Sequence, residues 1–114
     1  MVTFYHKPNC STSLDALSIL KKKTREITII KYLETVPTEK ELKEILKKLK
    51  FKPEQIVRKK EKLYKEKYEG KSISDSQWIK ILVKNPILIE RPILVKGNNA
   101  VIGRPPEKIL ELFV

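Results

Sequence analysis

Tyr5-His6-Lys7-Pro8-Asn9-Cys10-Ser11-Thr12-Ser13 holds the one cysteine of the chain, at the point where an apolar run (Val2, Phe4) gives way to helical spacing (Leu14, Leu17, Leu20). A thiol at such a junction sits at or near a helix N-terminus. There the free backbone N–H groups and the positive end of the dipole favour a thiolate and offer a seat for a tetrahedral oxyanion. A lone cysteine is more often a small buried hydrophobe, and this stretch alone leaves both readings open.

Outward from that stretch the chain takes a definite order. Val2 to Tyr5 reads as a short buried strand, and Pro8 forbids its continuation. Ser11, Thr12 and Ser13 are natural capping residues whose oxygens can also hydrogen-bond a bound anion. The helix they open is expected to run to about Lys21–Lys23 with Leu14, Leu17 and Leu20 on its stripe, and Ile27 to Lys31 is a second strand. Strand, helix and strand in this space make a parallel, right-handed βαβ unit. Residues 38–84 differ in kind and read as a helical insertion. Thr38 with Glu41 and Ser74 with Gln77 form capping boxes, and Leu42, Ile45, Leu46 and Leu49 give one apolar stripe. Trp78 reads as core, and Tyr64 and Tyr68 as surface or insert packing. Ile93–Val95 and Ala100–Ile102 are then strands joined at Gly97-Asn98-Asn99, a turn calling for positive φ, and a last helix buries Ile109, Leu110 and Phe113. This order, βαβ, helical insert, ββα, is that of an α/β thioredoxin-like fold with helices inserted at its middle, in one domain over residues 1–114. In that fold a cis-proline begins the third strand, and Pro92 stands at that place.

Bulk properties narrow the function classes. With 114 residues, 40% hydrophobic and 34% charged, the chain reads as one soluble, globular domain, expected in the cytoplasm and as a monomer. No run approaches the roughly 20 apolar residues of a membrane span, and the N-terminus lacks a secretory pattern. One cysteine and one histidine supply neither an internal disulfide nor a metal cluster, so no metal is expected, and any second thiol comes from another molecule. The net charge of +11 is spread out, with glutamates among the lysines, and no nucleic-acid-binding pattern accompanies it. No nucleic-acid partner is expected.

A thiolate attacking an oxyanion needs fixed cations, and arginine suits the task because its planar fork pairs with two oxygens and never loses its charge. Arginines are few here, and Arg58, Arg91 and Arg104 stand beside apolar or proline-fixed backbone (I-V-R, E-R-P, G-R-P). Each also reads as a surface ion-pair partner, and for a single arginine taken alone that is the favoured reading. His6, four residues before Cys10, fits either electrostatic support of a thiolate or a structural role.

H-K-P-N-C-S-T-S at 6–13, V-R-K-K-E-K-L-Y-K-E at 57–66, N-P-I-L-I-E-R-P-I-L-V at 85–95 and V-I-G-R-P-P-E-K-I-L-E-L at 101–112 together resemble the ArsC family. That family comprises glutaredoxin-linked arsenate reductases and their Spx-like relatives. The resemblance implies a catalytic thiolate at Cys10 and an oxyanion pocket of Arg58, Arg91 and Arg104. It implies a covalent arseno-cysteine, glutathione as co-substrate with no tightly bound cofactor, and glutaredoxin as the partner that takes over the disulfide while arsenite leaves. Two alternatives accompany it: an Spx-like regulator binding RNA polymerase, and a glutathione-linked thiol protein with another substrate. Spx-like regulators typically carry C-x-x-C, and position 13 here is Ser13. The chain also departs from the familiar reductase motif at Lys7, Ser11 and Leu14, where asparagine, glycine and arginine are usual.

Overall fold

A computed structural model describes residues 1–114 as two compact units, residues 1–35 with 91–114, and residues 36–90. The first unit holds β1 (Val2–His6), α1 (Ser11–Lys21), β2 (Ile27–Lys31), β3 (Ile93–Lys96), β4 (Asn99–Ile102) and a terminal 3₁₀ helix (Pro106–Phe113). Its sheet has the order β2-β1-β3-β4, with β1 parallel to β2 and antiparallel to β3, and β3 antiparallel to β4. This is a thioredoxin-like arrangement.

Alternation along β1 decides which side chains enter the core. Val2, Phe4 and His6 are buried while Thr3 and Tyr5 are half-buried, as the two-residue period of a strand requires. Phe4 pairs with Leu94 and Leu94 with Val101, so these side chains share one face. There they cluster with Val2, with Ala16, Leu17 and Leu20 of α1, and with Ile109. Leu14 does not join them: the helix buries Ser13, Ala16, Leu17 and Leu20, and Leu14 is 48% exposed. Its apolar character and spacing place it on the expected stripe. Ser13 takes the buried place one residue earlier, because its hydroxyl finds partners.

The last segment is a 3₁₀ helix with a three-residue period, and only Ile109 of the expected stripe is buried. Leu110 is exposed, and Phe113 is half-buried with the Lys96 ammonium 5.6 Å from its ring centre. In the β3–β4 turn Gly97 has φ of +61° and Asn98 does not have a positive φ. A left-handed first position alone is the pattern of a type II′ turn.

The second unit holds α2 (Glu39–Leu49), a 3₁₀ turn (Pro53–Ile56), α3 (Lys62–Lys67), α4 (Asp75–Lys84) and a second 3₁₀ turn (Pro86–Leu88). It begins and ends a few residues outside the 38–84 insert expected from the helical pattern. Capping boxes close both long helices, Thr38 with Glu41 and Ser74 with Gln77. Leu42, Ile45, Leu46 and Leu49 are buried along α2, and Trp78, Ile79 and Leu82 along α4. Tyr64 is buried against Trp78, with ring centres 6.3 Å apart, and half-buried Tyr68 tilts against the same indole at 5.7 Å. Lys50 ends α2 in the left-handed region, a cap that the sequence did not announce.

Candidate active site

Strand register brings the site together. Tyr5 pairs with Ile93 and Ile93 with Ile102, so the end of β1, the start of β3 and the end of β4 lie at one edge of the sheet. Gly103 N–H donates to Pro92 O at 2.8 Å and extends the β3–β4 pairing by one step. The residues flanking these ends are therefore neighbours: Cys10 after β1, Arg91 before β3 and Arg104 after β4. Both the Arg91–Pro92 and Arg104–Pro105 peptide bonds are cis.

Cys10 is the N-cap residue of α1, with extended backbone (φ −103°, ψ 122°). Its carbonyl accepts the Leu14 N–H at 2.9 Å, and its own N–H donates to Lys7 O at 3.0 Å. Ser11, Thr12 and Ser13 thus lie inside the helix, and no side chain caps it. The thiol is half-buried. Burial pushes its pKa up, but the Ser13 backbone N–H, a hydrogen bond from Arg91 and the charges of Arg91 and Arg104 outweigh that and hold it below its ordinary value. Arg104 Nη2 lies 3.6 Å from Sγ, while its Nε donates to Arg91 O at 2.7 Å and so ties one arginine to the other's backbone.

Arg91 is 6% exposed, yet its Nε and Nη1 have no hydrogen-bond partner. Two orphaned donors on a buried cation are costly, and such groups in a folded protein call for an explanation.

Ser13 behaves differently from its place in the sequence reading. It is fully buried, its Oγ lies 2.6 Å from His6 Nδ1, and it accepts the Lys7 N–H at 3.2 Å. Its hydroxyl is spent inside the loop and is not offered to an anion; the backbone N–H is what faces the sulfur. Ser11 is exposed and Thr12 half-buried at the start of α1. His6 is 5% exposed, and burial, with the charges of Lys31 and Lys21, lowers its pKa and so favours the neutral ring.

Arg58 belongs to the second unit. Its Nε donates to Glu61 at 3.2 Å and its Nη1 to Glu90 at 3.4 Å. Backbone bonds fix that arrangement: Arg58 N–H donates to Leu88 O and Glu90 N–H to Ile56 O, around a Val57–Ile89 bridge. No three His, Cys, Asp or Glu side chains converge on a potential metal position, and no helix is long and apolar enough to cross a membrane.

Comparison with known proteins gives the family of the chain. The ArsC family model matches residues 5–112. The chain is 42% identical over 113 residues to the uncharacterized protein YfgD of Escherichia coli, covering 97% of this chain and 95% of that one. It is 38% identical over 114 residues to an arsenate reductase of Haemophilus influenzae, covering 98% of each. Among solved structures, an arsenate reductase from Vibrio cholerae superposes with a TM-score of 0.92 at 42% identity, covering 96% of this chain and 95% of that one. The chain belongs to the ArsC family.

Proposed function

We propose that this protein is a thiol oxidoreductase that reduces arsenate to arsenite through Cys10, with glutathione and glutaredoxin supplying the electrons. The observation that carries the proposal is the half-buried thiol with its lowered pKa beside a buried arginine whose Nε and Nη1 await an acceptor. Relatives named arsenate reductase that match nearly the whole chain support it.

Each residue has a part in the chemistry. The α1 N-terminus and the Arg91 and Arg104 charges stabilise the attacking thiolate and offset its repulsion from an anion. Arg91 Nε and Nη1 receive oxyanion oxygens, and Arg104 remains against the sulfur. An As–S bond forms as one arsenate oxygen leaves as water. Glutathione then adds its thiol, a sulfur–sulfur bond forms as arsenic takes up the electron pair, arsenite leaves, and glutaredoxin reduces the disulfide. No second cysteine exists in this chain, so the resolving thiol is external. The resemblance assigns Arg58 to the same oxyanion. Because that guanidinium already serves Glu61 and Glu90, Arg58→Ala separates two roles: weaker arsenate affinity marks a ligand, and lost stability alone marks a structural ion pair.

The test is a coupled assay with arsenate, glutathione, glutaredoxin and NADPH. Turnover that Cys10→Ser abolishes is expected. Absence of Cys10-dependent turnover would favour a glutathione-linked thiol protein with another substrate, or, if RNA polymerase is retained in a pull-down, an Spx-like regulator.

A further inference from the structure

The loop before α1 is closed by one side chain. Lys7 is held on both sides of its peptide: its carbonyl accepts the Cys10 N–H at 3.0 Å, and its N–H donates to Ser13 Oγ at 3.2 Å. Ser13 Oγ also lies 2.6 Å from His6 Nδ1. A hydroxyl has one hydrogen to give and two lone pairs to fill. Ser13 is fully buried, so that hydrogen cannot go to water, and the lone pair facing Lys7 is taken. Among the hydrogen bonds of this loop, His6 Nδ1 is the one acceptor within reach of the hydroxyl.

We propose that Ser13 is a positioning residue that donates its hydroxyl hydrogen to His6 Nδ1, holding His6 as the neutral Nε2–H tautomer and fixing the Cys10 turn with the Ser13 N–H aimed at the sulfur. The alternative tautomer, with a hydrogen on Nδ1, would give Ser13 Oγ two donors and leave its own hydrogen buried without an acceptor. An imidazolium has the same defect, and it would face the charges of Lys21 on α1 and Lys31 on β2. His6 is delivered to this place by β1, on the face shared with Phe4, whose ring centre lies 5.4 Å away. The strand therefore sets the imidazole, the imidazole sets the hydroxyl, and the hydroxyl sets the turn. This assigns position 13 a structural hydrogen bond in the loop, in place of the anion contact its residue type suggests. The inference rests on the proposed function only in taking Cys10 as the reacting group.

Two measurements test it, and neither reads arsenate turnover, so their failure is distinct from failure of the proposed reaction. The chain has one histidine and one cysteine, so both signals are assigned without substitution. A long-range ¹H–¹⁵N spectrum of the intact protein at pH 7 should show His6 neutral, with hydrogen on Nε2 and Nδ1 bare; hydrogen on Nδ1 would overturn the proposal. That spectrum stands whether or not any variant folds. Second, the pH dependence of iodoacetamide alkylation reads the Cys10 thiolate. Ser13→Ala and His6→Leu should each raise the apparent thiol pKa by about one unit, a roughly tenfold slower alkylation below both values. His6→Asn, whose amide oxygen can reach the Nδ1 position, should restore most of the difference. An unshifted titration in Ser13→Ala, or equal shifts in His6→Leu and His6→Asn, would refute the role of the hydrogen bond.

Discussion

Arg91→Met should make the free protein more stable and the anion-bound protein less so. In the folded chain the Arg91 guanidinium is nine-tenths buried, with Nε and Nη1 unpartnered. Each buried donor left unsatisfied costs about 1–3 kcal/mol, and a buried charge carries a desolvation penalty that an apolar residue of similar size avoids. Methionine has a similar length and needs no partner. Arg104 Nε bonds the Arg91 carbonyl, which the substitution leaves in place. The interaction lost is the one with the sulfur, and it matters least at acidic pH, where Cys10 is protonated. Under those conditions Arg91→Met should unfold about 1–2 kcal/mol later, a rise in Tm of roughly 4–8 °C. Sulfate, a tetrahedral anion that Cys10 cannot reduce, should reverse the order. At about 100 times its Kd a ligand adds about 2.7 kcal/mol to the parent protein, while the variant should gain almost nothing. Urea denaturation of both proteins, with and without sulfate, measures all four stabilities. A variant destabilised by more than about 1 kcal/mol without anion, or stabilised by sulfate as much as the parent, would refute the account of the orphaned donors.

Three further outcomes follow from other parts of the molecule. Because the thiol pKa is lowered on folding, the folded state binds fewer protons than the unfolded one between the two pKa values, so the thiolate's contribution is complete above the unfolded pKa and lost as pH falls through the folded one. The stability difference between the parent and Cys10→Ser should therefore grow with pH across that window, and a flat difference in urea titrations would mean an unperturbed thiol. Gly103→Ala should cost about 1–3 kcal/mol, since its Cβ would lie 2.9 Å from Pro92 Cγ and 3.1 Å from Ile109 Cγ2; unchanged denaturation would show that Pro92 and Ile109 can yield. Thr38→Ala, which breaks the capping box of α2, should cost about 1 kcal/mol and leave the Cys10 alkylation profile as it was. A shifted profile would be evidence against that independence.

Much of this architecture was legible because it follows simple periods. Ile27–Lys31 is a strand at the expected bounds, and Thr38 and Ser74 cap the helices that their boxes mark. The sequence misleads where a side chain's partner lies outside its own element. Leu14 looked like core and is exposed, while Ser13 looked like a surface cap and is fully buried, because the hydroxyl meets His6 and the Lys7 N–H across a loop. Nothing in S-T-S distinguishes the three hydroxyls; only the fold does. The arginines divide in the same way. E-R-P and G-R-P mark backbone brought to one sheet edge by β3–β4 register, whereas V-R-K shows no sign of the two glutamates that hold Arg58, one of them 32 residues away. The terminal segment reads as helical, but its 3₁₀ winding leaves Leu110 exposed, a change of period that three apolar residues cannot signal.

The central claim is that Cys10, served by Arg91 and Arg104, passes electrons to arsenate. Direct measurement of arsenite formed from arsenate, with glutathione and glutaredoxin present, tests it without relying on NADPH consumption. The account predicts sustained arsenite production by the parent protein, none above background by Cys10→Ser, and a large loss in Arg91→Met although that variant remains folded. Arsenite formed equally by the parent and Cys10→Ser, or by neither, would contradict it.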